Sequence, residues 1–372
     1  MIDVRSTPIA VLLSAGLLVL AGCDLAPPGY DPPGEDHEVS GQVLWVDESS
    51  EDGSLAFDPP NADDCRKEGL NLHASQLKGT EREIIAGGSS IVGYPEPADD
   101  LALDRSAQKV YWAVHTKQGP PCGPVEDVTQ IEQVGLTGGG ARQVRKIDNT
   151  EASADRMIPA LATAGARLVW AEVAREGTGE TSTILEVPLP AGTPPTGNGL
   201  QPDTACVTEG TVEALVAGPD GDAIYWNTQD NRLFRTDLGE APSEEPLPEA
   251  ATSRLLGDFD GRVEAVGGRP ARIYWAEPRS SGTTLRSVAL DGSGSRRDGT
   301  LPPKTTAIGL GPKGEKIFAG TAGEDEGIWV GPLANAEASR FDKCVGEGKS
   351  GNRHREDFQT PRSLAVLYDT PR

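Results

Sequence analysis

The chain has few basic residues and few histidines for its 372 residues. Lysine and arginine number 34 against 57 aspartates and glutamates, and the formal net charge is -23. Binding to a phosphate backbone needs a basic surface that displaces counterions, so nucleic acid is not an expected partner. Four histidines offer few candidates for acid–base catalysis, and no HExxH, GxSxG or complete EF-hand motif is present. We therefore assign no catalytic residue, and we interpret His115 and His354 as surface residues.

The N-terminal apolar run, from Ile9 to Leu20, is too short to span a bilayer as a stable helix. It follows one arginine and has the length of the hydrophobic region of a secretory signal. The next residues, Leu-Ala-Gly before Cys23, resemble the lipobox of bacterial lipoproteins, in which the cysteine thiol is acylated. The resemblance implies a signal peptide over residues 1–22 and a lipid on Cys23. We expect an exported protein held at a membrane by its lipid, facing the periplasm or exposed at the cell surface, in a leaflet that the sequence leaves open.

Residues 23–40 contain four prolines and no hydrophobic periodicity, which is typical of a semi-extended tether. The folded domain is predicted over residues 41–372. Its cysteines are Cys65, Cys122, Cys206 and Cys344, an even number in a compartment that permits disulfides. Two disulfide bonds are expected, and three pairings are open.

A repeat runs through this domain and decides the predicted fold. Short apolar runs centred on an aromatic residue alternate with second runs that end in leucine, and tight turns containing glycine or proline lie between them. No sustained spacing of i, i+3 and i+4 indicates a helix, so each unit is predicted as a set of antiparallel strands. The aromatic positions are Trp45, Trp112, Trp170, Trp226, Trp275 and Phe318. Four strands repeated around an axis form the blade of a β-propeller.

The predicted fold is all-β: a six-bladed β-propeller of four-stranded antiparallel blades. Because only the tether precedes the run around Trp45, the first blade lacks an inner strand of its own. The C-terminal run over residues 361–369 is an inner strand without a following blade, and we expect it to complete the first blade and close the ring. The unit over residues 220–238 resembles the YWTD repeats of low-density-lipoprotein-receptor propellers, although Asn227 and Thr228 replace its Thr and Asp. A TolB-like bacterial propeller fits equally well. Adjacent Tyr-Trp pairs are interpreted as core between blades, because neighbouring residues on a strand point to opposite faces.

Long loops are predicted to gather on one face of the propeller. The spacing from the aromatic residue to the next strand falls from 27 residues after Trp45 to 7 after Trp226, whereas the turns before the aromatic strands stay short. Loops after the aromatic strands emerge on the same face as the links between blades, and we call this the long-loop face. All four cysteines are assigned to it. Insertions confined to one face of a repeat fold often form its binding face. Its candidate acidic binding residues are Asp47, Glu48, Asp63, Asp64, Glu324 and Asp325.

The favoured function is a lipid-anchored binding or scaffolding protein that uses this disulfide-stapled face toward an unknown protein or polysaccharide, with a basic partner suiting the acidic loops. No cofactor is predicted, although Ca²⁺ would also suit such a surface. The protein is expected to be a monomer. The alternative is a metal-dependent hydrolase that resembles six-bladed lactonases, which needs carboxylates at inner-strand ends around the axis. Asp104 and Asp220 are candidates, but both lie beside tight turns, opposite the long loops. A purely structural surface protein is the third reading.

Overall fold

A computed structural model describes the all-β part of the chain. The described residues are 42–47, 71–76, 82–87, 100–105, 107–118, 126–136, 142–150, 155–176, 179–189, 202–238, 253–258, 262–280, 282–311, 314–322, 327–345 and 363–367. They form β-strands and one single-turn 3₁₀ helix, Ala338–Arg340. Within these ranges, no helix is long and apolar enough to cross a membrane.

Five blades are each built from four consecutive strands, with hydrogen bonds only between neighbours in the chain. They are β4 (Leu101–Asp104), β5 (Lys109–Gln118), β6 (Glu126–Gly135) and β7 (Arg142–Asp148); β8 (Asp155–Ala164), β9 (Arg167–Glu176), β10 (Gly179–Pro188) and β11 (Asp203–Glu209); β12 (Val212–Ala217), β13 (Ala223–Thr228), β14 (Arg232–Asp237) and β15 (Ser253–Asp258); β16 (Ala265–Gly267), β17 (Arg272–Arg279), β18 (Gly282–Ala289) and β19 (Arg296–Leu301); and β20 (Thr305–Leu310), β21 (Lys316–Thr321), β22 (Gly327–Pro332) and β23 (Asp342–Val345). The predicted all-β propeller of four-stranded antiparallel blades is confirmed, with five such blades where the sequence predicts six.

A further four-stranded sheet joins the two ends of the domain. It consists of β1 (Gln42–Asp47), β2 (Asn71–Gln76) and β3 (Arg82–Gly87), together with β24 (Ser363–Leu367), in the order β24-β1-β2-β3. β24 pairs antiparallel with β1, so that Trp45 lies opposite Leu364 on one side and His73 on the other. Thus β1–β3 receive their inner strand from the C-terminal run, as the sequence predicts.

Aromatic residues of the second strand in each blade fill the layers between blades. Tyr225 and Trp226 are adjacent on β13 and both are almost fully buried, yet they enter different hydrophobic clusters. Tyr111 and Trp112 of β5 divide between two clusters in the same way. Strand geometry sends adjacent side chains to opposite faces, and each face of a blade packs on a neighbouring blade. The interpretation of the Tyr-Trp pairs as interblade core is confirmed.

The short turns between the first and second strands pack against one another on the face opposite the long loops. A β-carbon at Gly221, after β12, would lie 2.3 Å from the amide nitrogen of Gly165, after β8. A β-carbon at Gly314, after β20, would lie 2.4 Å from the amide nitrogen of Gly268, after β16. All four glycines have positive φ, between 58° and 85°, which side chains disfavour. Glycine therefore permits this close approach of the turns.

Candidate functional site

The inner strands of the blades surround a central cavity of about 1070 Å³, which we call the central channel. Its lining comes from β4, β8, β12, β16, β20 and β24 or from residues next to them. Ligand sites in proteins are usually concave and carry a few fixed polar groups. The channel is therefore the candidate functional site, and its charged residues define what it can bind.

Acidic residues mark the starts of three inner strands. Asp100 directly precedes β4, Glu264 directly precedes β16, and Glu213 is the second residue of β12. Each inner strand starts where the chain arrives from the preceding blade, which is the end of the channel at the long-loop face. All three residues line the channel. The tight-turn end has its own charged lining residues, Asp104, Arg105, Asp220 and Arg269.

Asp100 joins three inner strands through its carboxylate. Its Oδ1 accepts hydrogen bonds from the amide of Leu101, at 2.9 Å, and from the hydroxyl of Ser363 on β24, at 2.8 Å. Its Oδ2 accepts one from the amide of Leu161 on β8, at 3.1 Å. Burial raises the pKa of Asp100, while Arg262 and these hydrogen bonds oppose the rise.

Glu264 joins two blades in a similar way. Its Oε1 accepts a hydrogen bond from the amide of Ala276 on β17, at 2.9 Å. Its Oε2 accepts one from the amide of Ile308 on β20, in the next blade, at 2.8 Å. Burial raises the pKa of Glu264 to about 7, against the lowering effect of both amides and of Arg262. This carboxyl group therefore titrates in the neutral range.

Arg262 lies two residues before Glu264 and lines the same end of the channel. Its positive charge acts on both Asp100 and Glu264, which belong to blades separated by two others. No ion pair within 4 Å and no hydrogen bond joins Arg262 to any other residue among those described. The guanidinium thus offers its donors to the channel.

The side-chain amide of a buried asparagine holds the backbone between Arg262 and Glu264. Asn227 of β13 accepts a hydrogen bond from the amide of Val263, at 3.0 Å, and donates one to Glu213, at 2.8 Å. Asn227 is fully buried, so its side chain is fixed in one orientation. This contact positions Arg262 and Glu264 from the preceding blade. It also gives Asn227 a structural role.

Asp104 and Asp220, the candidate carboxylates of the alternative enzyme, lie beside tight turns at the end of the channel opposite Asp100 and Glu264, as the sequence predicts. Asp104 caps the tight turn between β4 and β5, where its Oδ1 accepts a hydrogen bond from the amide of Ala107 at 3.0 Å. Asp220 is exposed in the tight turn between β12 and β13. Asp100 and Glu264 were missed. Their signal is an acidic residue directly before a short apolar run, as in Asp-Leu-Ala-Leu from residue 100 and Glu-Ala-Val-Gly from residue 264.

Most of the predicted binding and disulfide residues lie outside the described part of the chain. Asp47 ends β1, and Cys344 lies on β23, but neither side chain is described. Cys206 is buried in β11, where its thiol donates to the carbonyl oxygen of Val207. The two disulfides stay a prediction, as does the acidic binding face. Outside the described residues are Cys23, Glu48, Asp63, Asp64, Cys65, Cys122, Glu324 and Asp325.

No group of three or more histidine, cysteine, aspartate or glutamate side chains could hold a metal ion among the residues that the structure describes. Asp100, Glu213 and Glu264 are thus not grouped in this way. Their oxygens accept hydrogen bonds from the protein instead.

No protein-family model and no curated protein sequence matches this chain. Among solved structures, TolB from Acinetobacter baumannii superposes with a TM-score of 0.53 at 12% identity, over 88% of this chain and 66% of that one. A putative 6-phosphogluconolactonase from Bacteroides uniformis gives a TM-score of 0.43 at 9% identity, over 88% of this chain and all of that one. This chain thus spans about two thirds of the TolB length. At these identities the likeness to TolB shows the fold alone: the chain is a β-propeller protein.

The titration of Glu264 is expected to make stability depend on pH. Between its unfolded pKa of 4.5 and its folded pKa of about 7, the folded state holds a proton that the unfolded state has lost. Stability therefore falls as pH rises through this window, by up to about 3 kcal/mol at about 1.4 kcal/mol per pKa unit. Urea unfolding at about pH 5 and pH 8 measures this loss, which should be largely absent in Glu264→Gln. The exposed Glu209→Gln is the control for the removal of one charge. An unchanged pH dependence in Glu264→Gln would contradict the assignment.

Proposed function

We propose that the protein is a lipid-anchored, extracytoplasmic binding or scaffolding protein whose ligand enters the central channel from the long-loop face. The central channel carries this proposal: it has about 1070 Å³ of space, and its charged groups at that end belong to three different blades. Packed glycine turns occupy the opposite face, where little variation in the backbone is tolerated. In this proposal the lipid is on Cys23, and the tether over residues 23–40 holds the propeller away from the membrane.

The proposal includes a closed ring of six blades, in which the sheet of β24 and β1–β3 is one blade. Support comes from contacts of β24 with both neighbouring inner strands, β20 and β4. On one side, Arg105 beyond β4 donates a hydrogen bond to the carbonyl oxygen of Val366 at 3.2 Å. On the other side, Leu364 packs so closely on Gly309 of β20 that a β-carbon there would lie 2.6 Å from its Cδ2. A closed ring gives the channel a continuous wall and leaves no open sheet edge along it.

The acidic loops and the two disulfides fit the same proposal. Disulfide-stapled loops at the mouth of the channel would lose less entropy on binding than free loops. Their negative charge would attract basic groups of a protein or polysaccharide partner. In this proposal the protein is a monomer and needs no cofactor.

A variant that fills the channel tests this function. Thr306 is exposed and lines the channel on β20, so Thr306→Trp places an indole in the ligand's space. Thr204→Trp is the control, because Thr204 is exposed on the outer strand β11. Binding of basic peptides, polysaccharide fragments and small organic ions to the full chain in detergent would be compared by calorimetry. Ligands of the wild type should bind at least tenfold more weakly to Thr306→Trp and unchanged to Thr204→Trp. Equal affinity for both variants would place the site elsewhere.

A further inference from the structure

At the long-loop end of the channel, Arg262 is the charged residue without a hydrogen bond to another described residue, whereas Glu213 accepts one from Asn227. Both oxygens of Asp100 and both oxygens of Glu264 already accept hydrogen bonds from the protein. Arg262 between them donates to no described residue. A guanidinium has five N–H donors in a planar fork and no acceptor, so the complementary ligand supplies acceptor oxygens.

We propose that Arg262 receives the carboxylate group of an organic monoanion that enters the channel from the long-loop end. This inference rests on the proposed function of the channel and assigns the channel a small acidic ligand, distinct from the basic partner proposed for the acidic loops. Arginine binds a carboxylate through two parallel N–H···O bonds, which are short and stronger than neutral hydrogen bonds. The bonds orient the ligand as well as hold it.

The charges around Arg262 favour a monoanion over other ions. A cationic ligand would be repelled by Arg262, and the carboxylates of Asp100, Glu213 and Glu264 each already accept a hydrogen bond from the protein. A phosphate dianion carries the same acceptor chemistry, but a double charge costs about four times as much to remove from water as a single one, while its attraction to Arg262 only doubles. A single carboxylate is still attracted by Arg262, and among anions it is repelled least by the neighbouring carboxylates.

The wall beyond Arg262 is suited to the apolar part of such a ligand. Aliphatic residues of several inner strands line the channel next to its charged end: Leu215, Val216, Val266, Ile308 and Leu364. Removing apolar surface from water contributes roughly 25 cal/mol per Å² to binding. The ligand class is thus an acid with a hydrocarbon body rather than a small inorganic anion.

Binding at Arg262 is expected to be coupled to proton uptake. The ionisable residues that line the channel are Asp100, Asp104, Arg105, Glu213, Asp220, Arg262, Glu264 and Arg269. Of these, Asp100 and Glu264 are the ones on which the charge of Arg262 acts, and their neutral forms remove the repulsion of an incoming anion. Because linkage is reciprocal, a ligand that binds better to the protonated site also raises its affinity for protons. Burial raises the pKa of both carboxyl groups, and the pKa of about 7 for Glu264 places its proton exchange in the neutral range.

Hexanoate is a suitable probe, with hexylamine, hexan-1-ol and inorganic phosphate as comparisons. Calorimetry on the full chain at about pH 6 and pH 8, in buffers of different ionisation enthalpy, gives both affinity and proton uptake. We expect hexanoate to bind at least tenfold more tightly at the lower pH with net uptake of protons, and more tightly than each comparison compound. Arg262→Gln should weaken hexanoate binding at least tenfold and abolish its proton uptake. Arg297→Gln, at an exposed arginine on β19, should leave both unchanged.

Several results would overturn the inference. Hexanoate binding that is equal in Arg262→Gln and wild type would exclude Arg262 as the binding residue. Tighter binding of hexylamine than of hexanoate would show that the channel prefers a cation. Tighter binding of phosphate would exclude the carboxylate class. Arg262→Lys separates fold from recognition, because lysine keeps the charge and lacks the planar fork of the guanidinium. A hexanoate affinity equal to that of wild type would exclude bidentate binding.

If hexanoate does not bind the wild type, while Thr306→Trp still weakens the binding of another ligand, only this inference is refuted. If Thr306→Trp blocks no ligand, the proposed function falls.

Discussion

Deletion of β24, by ending the chain at residue 360, is expected to abolish cooperative folding. Leu364 and Val366 are buried with Val43 and Phe318 in one cluster, and their burial contributes about 3–6 kcal/mol. This amount is comparable with the whole stability of a typical domain, roughly 5–15 kcal/mol. The deletion also leaves β1 as an unpaired inner edge and removes the hydrogen bond from Ser363 to Asp100. Circular dichroism on heating would measure the result.

A chain ending at residue 368 is the control, because it retains all of β24. It should melt within a few degrees of the full chain. A synthetic peptide of residues 361–372 should restore a cooperative transition to the shorter chain if β24 acts as a missing strand. A chain ending at residue 360 that melts like the full chain would refute the role of β24 in the fold and the proposed closed ring with it.

Gly221→Ala is expected to destabilise the protein by about 3 kcal/mol or more. The positive φ of 71° accounts for roughly 1–2 kcal/mol of this cost, because a side chain is strained in the left-handed region. The remainder comes from the backbone of Gly165, since a β-carbon would lie 2.3 Å from its nitrogen and 2.7 Å from its Cα. Backbone atoms cannot rotate away, so the two blades would have to separate at this turn. Urea unfolding would measure the change in free energy.

Gly210→Ala separates the two contributions. Gly210 has a similar φ of 85°, but a β-carbon there would meet nothing within 4 Å. Its substitution should therefore cost only the roughly 1–2 kcal/mol of the left-handed backbone. Gly314→Ala should resemble Gly221→Ala, because its β-carbon would lie 2.4 Å from the nitrogen of Gly268. An equal loss of unfolding free energy in Gly210→Ala and Gly221→Ala would show that the close approach of the turns adds nothing to the cost of the substitution.

The contrast between the two faces explains where the site lies. On the tight-turn face, pairs of glycine turns bring neighbouring blades into backbone contact, which leaves little room for insertions. On the long-loop face, the starts of the inner strands are joined by side chains instead, through Asp100 and Glu264. Side chains can change charge and partner without moving the backbone. This flexibility of charge supports the proposal that the ligand enters at the long-loop end.

The sequence by itself determined the class of fold, because the repeat is local. Alternating apolar positions around Trp170, Trp226 and Trp275 specify strands, and glycine-rich turns specify where each strand reverses. The pairing of the C-terminal run with β1 also followed from counting, since one blade lacked an inner strand and one inner strand lacked a blade. These inferences need only periodicity and the order of the elements.

Only the tertiary structure decided which charged residues share a site. Asp100 and Arg262 are 162 residues apart in the sequence, and no local pattern shows that they share one end of the channel. They come together because the inner strands of different blades start around one axis, which is a property of the whole propeller. The raised pKa of Glu264 has the same origin: burial depends on the blades on both sides of it, and the sequence around residue 264 does not contain that information.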